Sequence, residues 1–139
     1  MLELVILVGL PGSGKSTYYR ARFAATHVHV SKDLMPNNRN RDARQRLLIE
    51  EALAAGQSVV VDNTNPSIDA RAPLIAIGRR FGARVIGCYF EIDVRAALMR
   101  NRDREGRARV PDVAIFTTKK KLQPPTLEEG FDEVHVIAS

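Results

Sequence analysis

Short unbroken apolar runs alternate along this chain with longer stretches in which apolar residues recur every three or four positions, a rhythm that predicts strands alternating with helices. Leu4-Val5-Ile6-Leu7-Val8 is the first such run, apolar on both faces as a strand buried on both sides requires. From Lys15 to about Ala25 a helix is expected, turning Tyr18, Tyr19 and Phe23 toward a sheet. Val28-His29-Val30 reads as a second strand, and His27 and His29 as strand-face residues rather than metal ligands. After a loop around Pro36, Asp42 is positioned to cap a helix over residues 43–55, ended by Gly56, with Leu47, Leu48, Ala52 and Leu53 as its sheet-facing stripe.

The second half repeats the rhythm. Gln57 to Asp62 is a third strand, Asn63-Thr64-Asn65-Pro66 a turn, and Ser67 the cap of a helix running to about Phe81, which Pro73 should bend. Arg84 to Phe90 predicts the fourth strand, and Asp93 caps a helix from Val94 to about Arg102. Pro111 opens a further helix to Leu122, Pro124-Pro125-Thr126-Leu127 is a stiff connector, and Glu133 to Ala138 is the last strand. The expected fold is therefore α/β: a parallel sheet of about five strands with helices on both faces. At 139 residues one domain over 1–139 is expected.

The first turn carries the chemistry. Gly9-Leu10-Pro11-Gly12-Ser13-Gly14-Lys15-Ser16-Thr17 fits G-x-x-x-x-G-K-[ST] directly after a buried strand and before a helix. Glycines let the backbone point several N–H groups at one phosphate, and the helix dipole adds positive potential. Lys15 is expected to reach the β/γ-phosphates and Ser16 to hold Mg²⁺. In parallel sheets ligands sit beyond the carboxyl ends of the strands, so Asp33 after strand two and Asp62 after strand three should share that edge with the loop. Such an edge suits phosphoryl transfer. Asp33 is the expected base for the acceptor's proton, while Asp62 either holds a water on Mg²⁺ or positions the acceptor.

Charge sharpens the picture. The chain carries +5 at pH 7, and its arginines gather at Arg39, Arg41, Arg44 and Arg46 and again at Arg100, Arg102, Arg104, Arg107 and Arg109, with Lys119 to Lys121 a third group. Such a balance favours anionic partners, although Asp42, Asp103 and Glu105 make part of each group a solvated face. Residues of about 100–110 read as a lid whose arginines close over phosphates and exclude water. Cys88 falls in a predicted strand as a small core residue, and no disulfide can form within one chain. The N-terminus lacks a signal-peptide pattern and Leu4 to Val8 is too short to span a bilayer, so a cytoplasmic chain with no membrane association is expected.

Together with Ser31-Lys32-Asp33, Val60-Val61-Asp62-Asn63-Thr64-Asn65-Pro66 and Pro125-Thr126-Leu127-Glu128-Glu129-Gly130-Phe131, the loop at 9–17 resembles the polynucleotide 5′-hydroxyl kinases, above all the kinase module of the animal polynucleotide kinase/phosphatases. The likeness covers nearly the whole chain in order, and the last two motifs are its more specific part. It implies a P-loop kinase that transfers the γ-phosphate of ATP or another NTP to the 5′-OH of DNA or RNA with Mg²⁺. Residue by residue, it implies donor binding by Gly9, Pro11, Gly12, Ser13, Gly14, Lys15, Ser16, Thr17 and Arg100. Catalysis falls to Lys15, Asp33, Arg100 and Arg104, with Arg102 a competing lid residue. Acceptor binding falls to Asp33, Arg39, Arg41, Asp62, Thr64, Asn65 and Arg71. Metal binding falls to Ser16 and, through water, Asp62.

The chain departs from the pattern at Pro36, where the phage enzymes carry an acceptor-contacting arginine, so Arg39 or Arg41 must substitute. Many relatives also carry a phosphatase or ligase domain; here such an end-healing partner is expected as a separate protein. The competing readings are a small-molecule or sugar-nucleotide kinase of the same fold and a non-catalytic nucleotide-binding module, and the intact Lys15, Ser16 and Asp33 weigh against the last.

Overall fold

The computed structural model describes residues 1–35, 39–106 and 109–138. Five strands form one parallel sheet: β1 (Glu3–Val8), β2 (His27–Val30), β3 (Ser58–Asp62), β4 (Arg84–Glu91) and β5 (Glu133–Ala138). Their spatial order is β2-β3-β1-β4-β5, which puts the strand before the glycine-rich loop at the centre. The helices are α1 (Lys15–Arg22), α2 (Arg41–Ala54), α3 (Ile68–Arg80), α4 (Val94–Arg102) and α5 (Asp112–Lys121). This is the α/β P-loop kinase fold.

Period-two alternation sorts the central strands between two cores. Leu4, Ile6 and Val8 of β1 join Val59 and Val61 against Ile49, Ala52 and Leu53 of α2 and Leu74, Ile75 and Ile77 of α3. Val5, Leu7 and Val60 face the other way, onto Tyr19 of α1, with Tyr18 and Phe23 packed alongside. Residues 4–8 are all fully buried, so β1 reads as one apolar run instead of an alternating one. A third cluster, Leu10, Ala97 and Ile115, ties the loop to α4 and α5.

Element boundaries follow the sequence closely, with physical corrections. Asn40, not Asp42, caps α2: its side chain accepts from the Ala43 N–H at 3.0 Å, while the Asp42 carboxylate turns to Lys32 at 2.5 Å. The buried stripe of α2 is Gln45, Ile49, Ala52 and Leu53, spaced i, i+4, i+7, i+8; Leu47 lies outside that stripe and is 46% exposed. Pro111 is the N-cap of α5 instead of its first helical residue. Ser67 and Asp93 cap α3 and α4 as their spacing predicts, and α3 continues through Pro73 to Arg80. Cys88 is buried on β4, and burial pushes its thiol up to about 11.

Candidate active site

Because all five strands run the same way, the segments that follow β1, β2 and β3 emerge on one edge. The register aligns Leu7 of β1 with Asp62 of β3, so Asp62 stands beside the start of the loop. Within the loop Gly12 has φ +83° and Gly14 φ +96°, left-handed positions that turn successive N–H groups toward a common point. A Cβ on Gly12 would lie 2.9 Å from the Ala97 carbonyl oxygen of α4, so conformation and space both demand glycine there. Gly14 is also the N-cap of α1, which aims that helix's free N–H groups into the same hollow.

Lys15 is 7% exposed, and its ammonium donates to the carbonyls of Gly9 at 2.9 Å and Leu10 at 2.8 Å. Burial pulls it down from the ordinary 10.5 to about 8; the negative charges of Asp62 and Asp33 oppose that fall and the Arg104 charge adds to it. Asp62 is 4% exposed. One of its oxygens, Oδ2, accepts from Ser16 Oγ at 2.7 Å and meets His29 Nε2 at 2.8 Å. Burial works against ionisation of Asp62, but those bonds and the Lys15 charge outweigh it, so the carboxyl titrates below the usual range. His29 is held in turn by a stacked Tyr19 ring, centroids 4.1 Å apart. A serine hydroxyl beside a buried carboxylate is a set of hard oxygen donors, which suits Mg²⁺.

The turn after β3 is tied to the loop. Gly9 N–H donates to the Thr64 carbonyl at 3.0 Å, and the buried Asn65 side chain donates to the Leu7 carbonyl at 2.7 Å. Asn63 bridges outward, accepting from the Lys32 N–H at 2.9 Å and donating to Gln45 Oε1 at 2.5 Å. Asp33 lies on a 3-10 turn after β2, its N–H donating to Ser31 Oγ at 3.2 Å, and its carboxylate is exposed to the cleft.

That cleft has a volume of about 860 Å³ and runs from the phosphate loop to α2 and α3. Lys15, Ser16, Asp33, Asp62, Thr64 and Asn65 all line it, as their positions predict. Lys32, Arg41 and Arg46 line it, Lys32 paired with the lining Asp42, and so do Pro66, Asp69, Ala70, Pro73 and Leu74. A second cavity of about 560 Å³ opens on the other side of the loop, between Tyr18 and Ala21 of α1, Phe90, and the end of β5 at Ile137 and Ala138. Arg104, Gly12, Gly14 and Thr17 line both cavities, and Arg100 lines the second.

Several expected residues stand elsewhere. Arg71 is fully buried, its guanidinium occupied by Glu129 and the Asn65 carbonyl, so it does not face an acceptor. Arg39 is exposed but does not line the cleft, whereas Arg41 does. Gly9 is buried behind the loop, against Ser13 and Phe90. Of the expected lid, Arg107 lies outside the described residues, as does Pro36 of the β2–α2 loop. The end of α4 is clasped to the start of α5: buried Asn101 donates to the Val110 carbonyl at 2.6 Å and accepts from its N–H at 2.9 Å. The sequence named Lys32 within a motif, Arg46 within an arginine group and His29 as a strand-face residue, but gave none of them a site role. For His29 the signal lay in the register: it pairs with Val60, which shares a face with Asp62.

Known proteins resemble this chain over most of its length. The chain is 31% identical over 139 residues to the bifunctional polynucleotide phosphatase/kinase of Schizosaccharomyces pombe, covering 97% of this chain and 33% of that protein. It is 28% identical over 145 residues to the L-seryl-tRNA(Sec) kinase of Methanococcus maripaludis, covering 93% of this chain and 56% of that one. Among solved structures, the Pnkp1/Rnl/Hen1 RNA repair complex superposes with a TM-score of 0.72 at 28% identity, over 94% of this chain and 46% of the other. The chain thus spans about a third of the length of the polynucleotide phosphatase/kinase it matches. A family profile described as AAA domain matches residues 4–125, and with its phosphate loop, carboxylate edge and kinase relatives the chain belongs to that family of P-loop proteins.

Proposed function

We propose that this chain is a polynucleotide 5′-hydroxyl kinase, transferring the γ-phosphate of ATP or another NTP to the 5′-OH of a DNA or RNA end. The observation that carries the reading is the one cleft that the phosphate loop and Asp33 share with the cations Arg41 and Arg46, beside the Lys32–Asp42 pair. An acceptor that is itself a polyanion explains cations on that side; a neutral sugar does not require them. The donor's base and ribose occupy the cavity between Tyr18, Phe90 and Ile137, with the phosphates crossing the loop.

In the reaction the acceptor oxygen attacks the γ-phosphorus in line, the bond to the β–γ bridging oxygen breaks, and the acceptor's proton passes to the Asp33 carboxylate. Lys15 leaves its loop carbonyls to meet the β/γ-oxygens, while Arg100 and Arg104 approach from the lid, with Arg102 the competing lid residue, and exclude water. Ser16 and, through water, Asp62 would hold Mg²⁺, which would supply charge neutralisation at the phosphates when bound. Residues 1–139 act as one kinase unit, and the free, buried Cys88 suits the reducing cytoplasm we assign to it. The name of the Schizosaccharomyces pombe relative favours a phosphatase as its working partner, and a ligase is the alternative.

The test is transfer of labelled γ-phosphate from ATP and Mg²⁺ to short 5′-OH DNA and RNA oligonucleotides, with Asp33→Asn as control. We expect end label from the wild-type chain and a loss of about 10²–10⁴-fold in the variant at unchanged ATP affinity. No end label with ATP still bound overturns the acceptor and moves it to a small polar molecule. Label unaffected by Asp33→Asn overturns the base.

A further inference from the structure

The segment Pro125 to Phe131 contributes no side chain to the cleft, yet it is stitched to the turn that does. Glu129 receives Arg71 in a two-point fork, Nε to Oε1 at 2.7 Å and Nη2 to Oε2 at 2.9 Å, with side-chain exposures of 4% and 0%. The third arm of the same guanidinium, Nη1, donates to the Asn65 carbonyl at 2.9 Å. Asn65 has φ 42°, a left-handed conformation that asparagine tolerates better than other residues bearing a side chain, and its carbonyl direction is fixed by the Arg71 bond. A second stitch lies alongside, where Gln123 N–H donates to the Pro66 carbonyl at 2.7 Å and its side chain accepts from the Ile68 N–H at 2.9 Å. Phe131 anchors the far end by lying over Gly87 of β4, where an added Cβ would sit 3.0 Å from its ring.

We propose that Arg71 and Glu129 are positioning residues that hold the Asn63–Pro66 turn in its acceptor-ready shape, which rests on the kinase reading above. Three observations converge on this. The turn lines the cleft; its left-handed residue is held by Arg71; and Arg71 is held by Glu129. A buried ion pair is a weak source of net stability compared with apolar groups of similar volume, whereas a planar fork bound at three points fixes geometry. The pair therefore serves shape more than stability. The donor side depends on it less, because Lys15, Gly12 and Gly14 are set by the loop and α1.

The paired substitution Arg71→Met/Glu129→Leu separates the two roles by replacing both charges with apolar groups. We expect it to melt within about 5 °C of the wild type, to bind ATP within about threefold, and to lose about 100-fold in kcat/KM for a 5′-OH oligonucleotide. Arg71→Lys retains the charge but cannot reach both Glu129 and Asn65, leaving a buried oxygen unpaired, and should lose about tenfold on the same measure with a melting temperature lowered by a few degrees. If either variant keeps its full acceptor kinetics, the pair does not position the turn and the proposal fails. If ATP affinity falls as far as acceptor use, the effect is not on the acceptor side and the proposal also fails. Should the wild type label no oligonucleotide, the functional reading fails instead, and amide exchange decides the inference. We then expect Asn63–Asn65 to exchange about tenfold faster in Arg71→Lys with Val59–Val61 unchanged, and equal rates in the turn overturn it.

Discussion

Ser16 donates its hydroxyl proton to Asp62 at 2.7 Å, joining the first turn of α1 to the last residue of β3. The same carboxylate oxygen meets His29, so three elements converge on one atom. Replacing Asp62 with Asn keeps the shape and removes the charge, leaving Ser16 free to rotate. The Mg²⁺ concentration for half-maximal activity should rise about 10–100-fold. A titration of activity against Mg²⁺ at saturating ATP checks this, and an unchanged midpoint removes Asp62 from metal handling. Since its folded titration lies below the unfolded value, the stability that Asp62 contributes is complete above the unfolded pKa and lost as pH falls through the folded one. Acid unfolding of Asp62→Asn should accordingly show a shallower loss below about pH 4.

Lys15 gives the opposite dependence. Its folded value of about 8 against an ordinary 10.5 means the unfolded chain binds more protons across that window, so this group raises stability as pH climbs from about 8 to 10.5. Lys15→Met should flatten that rise in a series of denaturant melts. Phosphate binding restores the charge, so ATP binding near pH 8 to 9 should take up protons. Calorimetry in buffers of different ionisation enthalpy measures this directly, and Lys15→Met should show none of it.

Asn101 closes the base of the arginine-bearing segment through reciprocal bonds to both backbone groups of Val110. Asn101→Ala leaves that N–H and carbonyl unpaired in a part-buried place, at a cost of about 1–3 kcal/mol. The local effect should exceed the global one. Limited proteolysis should cut between Arg102 and Arg109 faster in the variant, and the KM for ATP should rise several-fold while the melt changes by only a few degrees.

Arg46 lines the cleft from α2 and makes no ion pair among the described residues. If it meets an acceptor phosphate, Arg46→Ala should weaken oligonucleotide binding at low salt and reduce the slope of log K against log salt by about 0.7 to 0.9. ATP affinity should be unchanged. Fluorescence anisotropy over a salt series reads both quantities.

The elements were legible in the sequence because each apolar run is short, dense and bounded by a loop signal: Gly9 after β1, Ser31 after β2 and Asn63 after β3. Once the strands were parallel, the shared edge of Lys15, Ser16, Asp33 and Asp62 followed from topology alone. What escaped was set by orientation instead of position. Leu47 and Ile49 are equally apolar, and only the direction of α2 against the sheet decides that Ile49 is buried. Arg71 looks like one more cation near the acceptor turn until Glu129, 58 residues later, is folded against it. His29 gains its role from strand pairing with β3, a contact that no local pattern encodes.

The central place of β1 in the sheet has an evolutionary consequence. The smaller cavity is walled by α1, Arg100 and the ends of β4 and β5, whereas the larger cleft adds the β2 turn, α2 and α3 on the other flank, and the two share Gly12, Gly14, Thr17 and Arg104. On the proposed reading, the two substrates would meet at that shared spine, each with further walls of its own. Mutations that retune what receives the phosphate would then accumulate on one flank while the machinery that delivers it stays intact.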